Sequence, residues 1–152
     1  MYKRQTYDRD TKQSFTPHKD SINNDRLGLI PLYAEPSPDR QDAVLFRDAH
    51  VMWIEKPAHI DATHGLFAVQ IPSNLTSMQP RYFPSEIIYI QTDKRPVKGK
   101  DAFIELLDGT ALIKVYKGDE ADMIVTGQYN PQEDERIPKK TIKKIYNIVG
   151  RN

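Results

Sequence analysis

The sequence predicts an all-β domain, a sandwich or barrel-like sheet of short strands, on three observations. Apolar residues come in short runs punctuated by Pro, Gly and Asp. Eleven prolines are spread along 152 residues, and few windows carry a 3.6-residue apolar period without a breaker. An Asp-Gly dipeptide joins two β-rich runs, which is the sequence signature of a tight hairpin.

Taken in order, the predicted strands are Leu29 to Tyr33, Val51 to Ile54, Leu66 to Ile71, Ile87 to Ile90, Ala102 to Leu107, Ala111 to Tyr116, Met123 to Thr126 and Ile142 to Val149. Each is rich in β-branched or aromatic residues and too short for a free-standing helix. Asp108-Gly109 predicts a two-residue type I′ turn, which sets Leu107 opposite Thr110, Ile104 opposite Ile113 and Phe103 opposite Lys114. In that register Ala102, Ile104, Leu106, Ala111, Ile113 and Val115 form an apolar face. Phe103, Glu105, Leu107, Thr110, Leu112, Lys114 and Tyr116 form a mixed one. Trp53, within Val51-Met52-Trp53-Ile54, reads as core packing.

Composition narrows the function classes. A 38% hydrophobic share suits one compact domain, here residues 27–152, preceded by a polar arm, residues 1–26, with too little apolar surface to offset the entropy of ordering it. The arm is too short for a helix-turn-helix, and a net charge of +1 gives no basic field, so direct DNA binding by this chain is not expected. No apolar stretch approaches a membrane span, and the charged N-terminus lacks a signal-peptide core. Zero cysteines exclude disulfides and thiolate metal sites and fit a reducing cytoplasm. His50, His59 and His64 match no metal-ligand spacing, and neither a metal nor any other cofactor is expected.

Two residues carry possible chemistry. Ser77 sits in Thr76-Ser77-Met78-Gln79-Pro80, and Lys114 follows 37 positions later inside an apolar strand. A serine hydroxyl is a weak nucleophile unless a base takes its proton, and a lysine amine stripped of water by apolar neighbours can be that base. Phe103, Leu112 and Tyr116 are placed to strip it. The bland alternatives are equally concrete: Ser77 as a solvated turn residue, and Lys114 as half of an ordinary cross-strand ion pair with the diagonal Glu105.

The order of these features resembles the LexA-type repressor peptidases, the self-cleaving phage repressors and UmuD-like mutagenesis proteins. Phe67 to Ile71 is similar to the strand leading to that family's nucleophile. Ser77-Met78-Gln79-Pro80 resembles the nucleophile turn, and Pro84-Ser85-Glu86-Ile87 the start of the next strand. Pro96 to Asp101 resembles the loop before the hairpin, Asp108-Gly109 to Lys114 the strand that presents the lysine, and Tyr129-Asn130-Pro131, Ile137-Pro138 and Ile145 to Gly150 the C-terminal segment. The resemblance runs from Leu29 to Gly150 and implies a LexA- or signal-peptidase-like all-β domain.

By that resemblance Ser77 would be the nucleophile and Lys114 its general base, with the turn at Met78 contributing to an oxyanion site. The family cleaves its own chain at an Ala-Gly or Cys-Gly bond, promoted by a RecA filament. This sequence contains neither dipeptide, and Ala34-Glu35, after the strand Leu29 to Tyr33, is the nearest candidate bond. The turn before the serine, Pro72 to Thr76, is about two residues longer than the family's Gly-containing turn. A homodimer is implied, with Ile145, Tyr146, Ile148 and Val149 on a terminal strand offering an open edge. The alternative function is a catalytically silent dimerisation module of a transcriptional regulator.

Overall fold

A computed structural model describes residues 28–60 and 65–152. The expected polar arm and His64 lie outside the described residues. Ten strands form one mixed sheet: β1 (Leu29–Tyr33), β2 (Val44–Leu45), β3 (Val51–Glu55), β4 (Leu66–Gln70), β5 (Ile87–Gln91), β6 (Asp101–Leu106), β7 (Thr110–Glu120), β8 (Met123–Tyr129), β9 (Gln132–Pro138) and β10 (Ile142–Arg151). The spatial order is β3-β1-β4-β5-β10-β6-β7-β8-β9, with β2 attached to β7. β1 and β4 run parallel, and the other pairings are antiparallel. The described residues contain no α-helix, only a 3₁₀ turn at Lys139–Thr141, so none of them forms a helix able to cross a membrane.

The all-β expectation holds, and all eight predicted strands form. Two further strands escaped the sequence reading. β2 is two residues long, and β9, Gln132-Glu133-Asp134-Glu135-Arg136-Ile137-Pro138, has almost no apolar content because it is a solvated edge laid against β8. Its charges suit an edge that must not pair with another chain.

An aromatic chain bends the sheet over. Phe46, in the loop after β2, has its ring centroid 4.7 Å from Tyr33 on β1, 5.3 Å from Phe67 on β4 and 5.0 Å from Phe103 on β6. Tyr146 on β10 packs edge-on to Phe67 at 5.8 Å. β1 and β6 are well separated in the strand order, so one core shared by Tyr33, Phe67, Phe103 and Ile113 requires a curled sheet. The same core takes in Leu75, Met78 and Tyr82 from the segment between β4 and β5, which pins that segment near β7.

The hairpin forms, but in a different register. Phe103 pairs with Ile113, Ile104 with Leu112 and Ala102 with Lys114, one residue from the expected pairing. A type I′ turn needs positive φ at both central residues. Here Gly109 alone has it, at +93°, and Leu107-Asp108-Gly109 makes a three-residue connection with a bulge-forming glycine. The Asp108 side chain fastens it, accepting from the Thr110 amide at 3.0 Å and the Thr110 hydroxyl at 2.6 Å. Burial alone would push the Asp108 carboxyl up, but the Thr110 bonds and the Arg40 guanidinium outweigh it and hold the group below its ordinary value. A one-residue slip exchanges the cross-strand neighbours on both faces. Glu105 therefore lies with Ala111 and Ile113, away from Lys114; it accepts from the Tyr146 hydroxyl at 2.9 Å and lies 3.7 Å from Lys143.

Two other expectations are corrected. Trp53 is 36% exposed and Met52 62% exposed, because among the described residues β3 ends the sheet and only β1 hydrogen-bonds it. β10 is not an open edge, since β6 pairs along one side and β5 along the other. Tyr146 is buried and Ile145, Ile148 and Val149 are half-buried within the three cores. A dimer contact through this strand has side chains to offer but no free ladder.

Replacing Gly109 with alanine forces a left-handed φ on a residue with a Cβ and sets that carbon 3.3 Å from the Arg47 Cβ. The expected loss is about 1–3 kcal/mol, read as a lower urea midpoint with an unchanged slope. A second expectation concerns alkali. Burial, joined by the hydrogen bond to Asp101, pushes the Tyr82 hydroxyl well above its ordinary value. Burial and the Glu105 carboxylate do the same to Tyr146. The unfolded chain ionises these groups first, so their contribution is complete below about pH 10 and is lost as pH rises beyond it. Unfolding midpoints measured from about pH 8 to 11 should fall, and Tyr82→Phe or Tyr146→Phe should flatten the decline.

Candidate active site

Ser77 and Lys114 meet. The Lys114 ammonium donates to the Ser77 hydroxyl oxygen across 3.2 Å, and the two residues are 3% and 5% exposed, lysine first. This reach satisfies the geometric condition for proton transfer between a nucleophile and its base.

Each side chain is delivered by ordinary sheet physics. Lys114 lies in β7 opposite Ala102, on the face that carries Ile104 and Leu112. Val115 pairs with Gly127 on β8, so the preceding Lys114 stands across from the following Gln128, whose Oε1 accepts from Nζ at 2.6 Å. Gln128 is held in turn by its own amide, which donates to the Pro131 carbonyl at 3.2 Å. Ser77 follows the turn Pro72 to Thr76. That turn closes on itself through the Leu75 amide and the Pro72 carbonyl at 3.1 Å, and it buries Leu75 completely. The Ser77 carbonyl accepts from the Tyr129 and Asn130 amides, each at 2.9 Å, which straps the turn to the end of β8. Met78, beside the serine, is buried in the main core, and its carbonyl accepts from the Tyr82 amide at 3.1 Å.

Asp42 is the residue the sequence did not single out. One carboxylate oxygen accepts from the Thr76 amide at 3.0 Å and the Ser77 amide at 3.1 Å. The other accepts from the Lys114 ammonium at 3.1 Å. Glu135 on β9 stands farther off, 3.9 Å from Nζ. The anticipated Glu105 ion pair is absent, and Lys114 exchanges it for Asp42. The amides that face a carboxylate here belong to Thr76 and Ser77, and the Met78 side chain is buried in the core.

Ala34 and Glu35 are tied elsewhere. The Glu35 carbonyl accepts from the Leu45 amide at 2.9 Å and its carboxylate from the His50 amide at 3.2 Å. The stretch that touches Ser77 is the following loop, closed by the Pro36 and Val44 bridge, with Asp42 near its end. In sequence Asp42 is one acid in a polar turn, and no local pattern separates it from Asp39 or Asp48. Gln128 was within reach of the sequence, because continuing β7 into a hairpin with β8 sets it across from the lysine. His50 and His59 are exposed, and neither imidazole contacts Ser77, Lys114 or Asp42.

No protein-family model matches the chain. The chain is similar to the "Repressor protein C" of Rhizobium phage 16-3, with 23% identity over 129 residues, covering 80% of this chain and 48% of the phage protein. It thus spans about half the length of the curated relative it matches.

Proposed function

We propose that this chain is the Ser-Lys peptidase domain of a phage-repressor type of regulator. The observation that carries the reading is the contact between a buried amine and a buried hydroxyl, Lys114 Nζ and Ser77 Oγ at 3.2 Å. A lysine is costly to bury, and one held against a serine has a chemical use that a surface ion pair lacks. The similarity to a phage repressor supports the regulator half of the proposal.

In this mechanism Lys114 acts as the neutral amine. It takes the Ser77 proton as Oγ bonds to a peptide carbonyl carbon, and the oxyanion of the tetrahedral intermediate falls to the Thr76 and Ser77 amides. The C–N bond then breaks, the leaving nitrogen receives the proton from Lys114, and water, deprotonated by the same amine, opens the acyl-enzyme. The substrate is the protein's own chain. Ala34-Glu35, held by Leu45 and His50, lies outside the contacts of Ser77. Regulators of this kind act in the cytoplasm as homodimers, and a RecA filament is the proposed inducing partner.

One observation favours a rival. The Asp42 carboxylate occupies the amides and the lysine that catalysis needs, as suits a silent interaction module. Intact mass of the full chain, incubated at about pH 7 and pH 10 beside Ser77→Ala and Lys114→Ala, separates the two. A fragment that increases at the higher pH, where more lysine is uncharged, and disappears in both variants supports the peptidase. Unchanged mass throughout, with Asp42→Ala unchanged as well, supports the silent module, and the fragment masses report the bond.

A further inference from the structure

We infer that the Thr76 and Ser77 amides and the Lys114 ammonium form a carboxylate receptor, and that the Asp42 side chain is its built-in ligand, keeping it filled. Three donors from two separate elements converge on one carboxylate. Two consecutive backbone amides reach a single oxygen at 3.0 and 3.1 Å, and the ammonium reaches the other at 3.1 Å. Consecutive amides aimed at one point make an anion-binding concavity, and bonds to ionised groups are about twice as strong as neutral ones.

The loop is shaped to deliver that group. Its base is closed by the Pro36 and Val44 bridge and by the Ser37 amide, which donates to the Ala43 carbonyl at 3.0 Å. The Ser37 hydroxyl oxygen accepts from the Arg40 amide at 3.0 Å, and the Asn74 side chain reaches the Ala43 carbonyl at 3.4 Å. Ala43 and Val44 are fully buried. Between this anchored base and the exposed tip, Asp42 adopts φ of +59°. Residues with a Cβ disfavour that region, though aspartate tolerates it better than most. Asp48, Ser85 and Ala121 share a left-handed φ; within the loop from Ser37 to Ala43 it falls on the residue whose carboxylate fills the site.

The catalytic consequence rests on the peptidase reading above; the binding half does not. Donors about 2.7–3.1 Å from one oxygen are placed for the oxyanion of a tetrahedral intermediate, and the Asp42 oxygen stands at that point. An ammonium bonded to Asp42 has no lone pair to give the serine. Asp42 therefore occludes both halves of the chemistry, and cleavage waits on its withdrawal.

The test uses the full chain with Asp42→Ala, which removes the ligand and leaves room for formate or acetate as the probe. Titration with formate, followed by the amide signals of Thr76 and Ser77, should give saturable shifts in Asp42→Ala and none in wild type. Adding Lys114→Met to Asp42→Ala should weaken the response several-fold, and chloride should not reproduce it. A folded Asp42→Ala without a saturable shift overturns the receptor. In parallel, a fluorophosphonate probe forms an O–P bond at Ser77 with loss of fluoride. Labelling of Asp42→Ala should be at least about tenfold faster than wild type, equivalent to about 1.4 kcal/mol, and formate should slow it. Equal rates overturn the occlusion. Formate binding without any labelling of Ser77 overturns the peptidase reading and leaves the receptor standing. If the alanine variant does not fold, Asp42→Asn keeps an oxygen for the amides but no charge for Lys114. It should label faster than wild type, and equality again overturns the occlusion.

Discussion

A lysine amine buried to this depth constrains everything around it. Removing an ammonium from water costs several kcal/mol unless acceptors replace the lost solvent. Lys114 finds them in Asp42, Ser77 and Gln128, with Glu135 just beyond. These groups come from a loop after β1, a turn after β4, and strands β8 and β9. The one charge thus ties together segments that no single hairpin would unite, and losing any acceptor leaves part of it uncompensated.

The convergence depends on the curl of the sheet. Phe46, Phe67, Phe103 and Tyr146 fill the concave side, and the segment between β4 and β5 contributes Leu75, Met78 and Tyr82 to the same core. Burying Leu75 and Met78 fixes Ser77 between them, so the position of the serine follows from hydrophobic packing of its neighbours. The strap from the Ser77 carbonyl to the Tyr129 and Asn130 amides then ties the turn to the strand facing the lysine. A flat sheet with the same strands would leave serine and lysine apart.

The turn at Pro72 to Thr76 serves more than the serine. It packs Leu75 inward, directs two successive amides at one point, and places Asn74 against the Ala43 carbonyl. The turn thus supports the carboxylate-bearing loop as well as the serine. Segment by segment, the arrangement describes a site made together with the group that fills it.

Strand content was legible because it is a local property: β-branched runs bounded by Pro, Gly and Asp have little choice of conformation, and the order of serine turn, strand and lysine hairpin could be followed along the chain. The hairpin register was not legible, since Asp-Gly serves two-residue and three-residue turns alike and the backbone angles at Asp108 and Gly109 decide between them. β9 was hidden because an edge strand bathed in water needs no apolar pattern. Ser77 and Lys114 stood out by residue type and spacing, whereas Asp42 did not, because its importance comes from a long-range contact with Thr76, Ser77 and Lys114. The sequence by itself determined the β character and two of the chemical groups. Only the tertiary structure decided which acid reaches the lysine, because that choice depends on a one-residue register and the closure of a curled sheet, both set by contacts far apart along the chain.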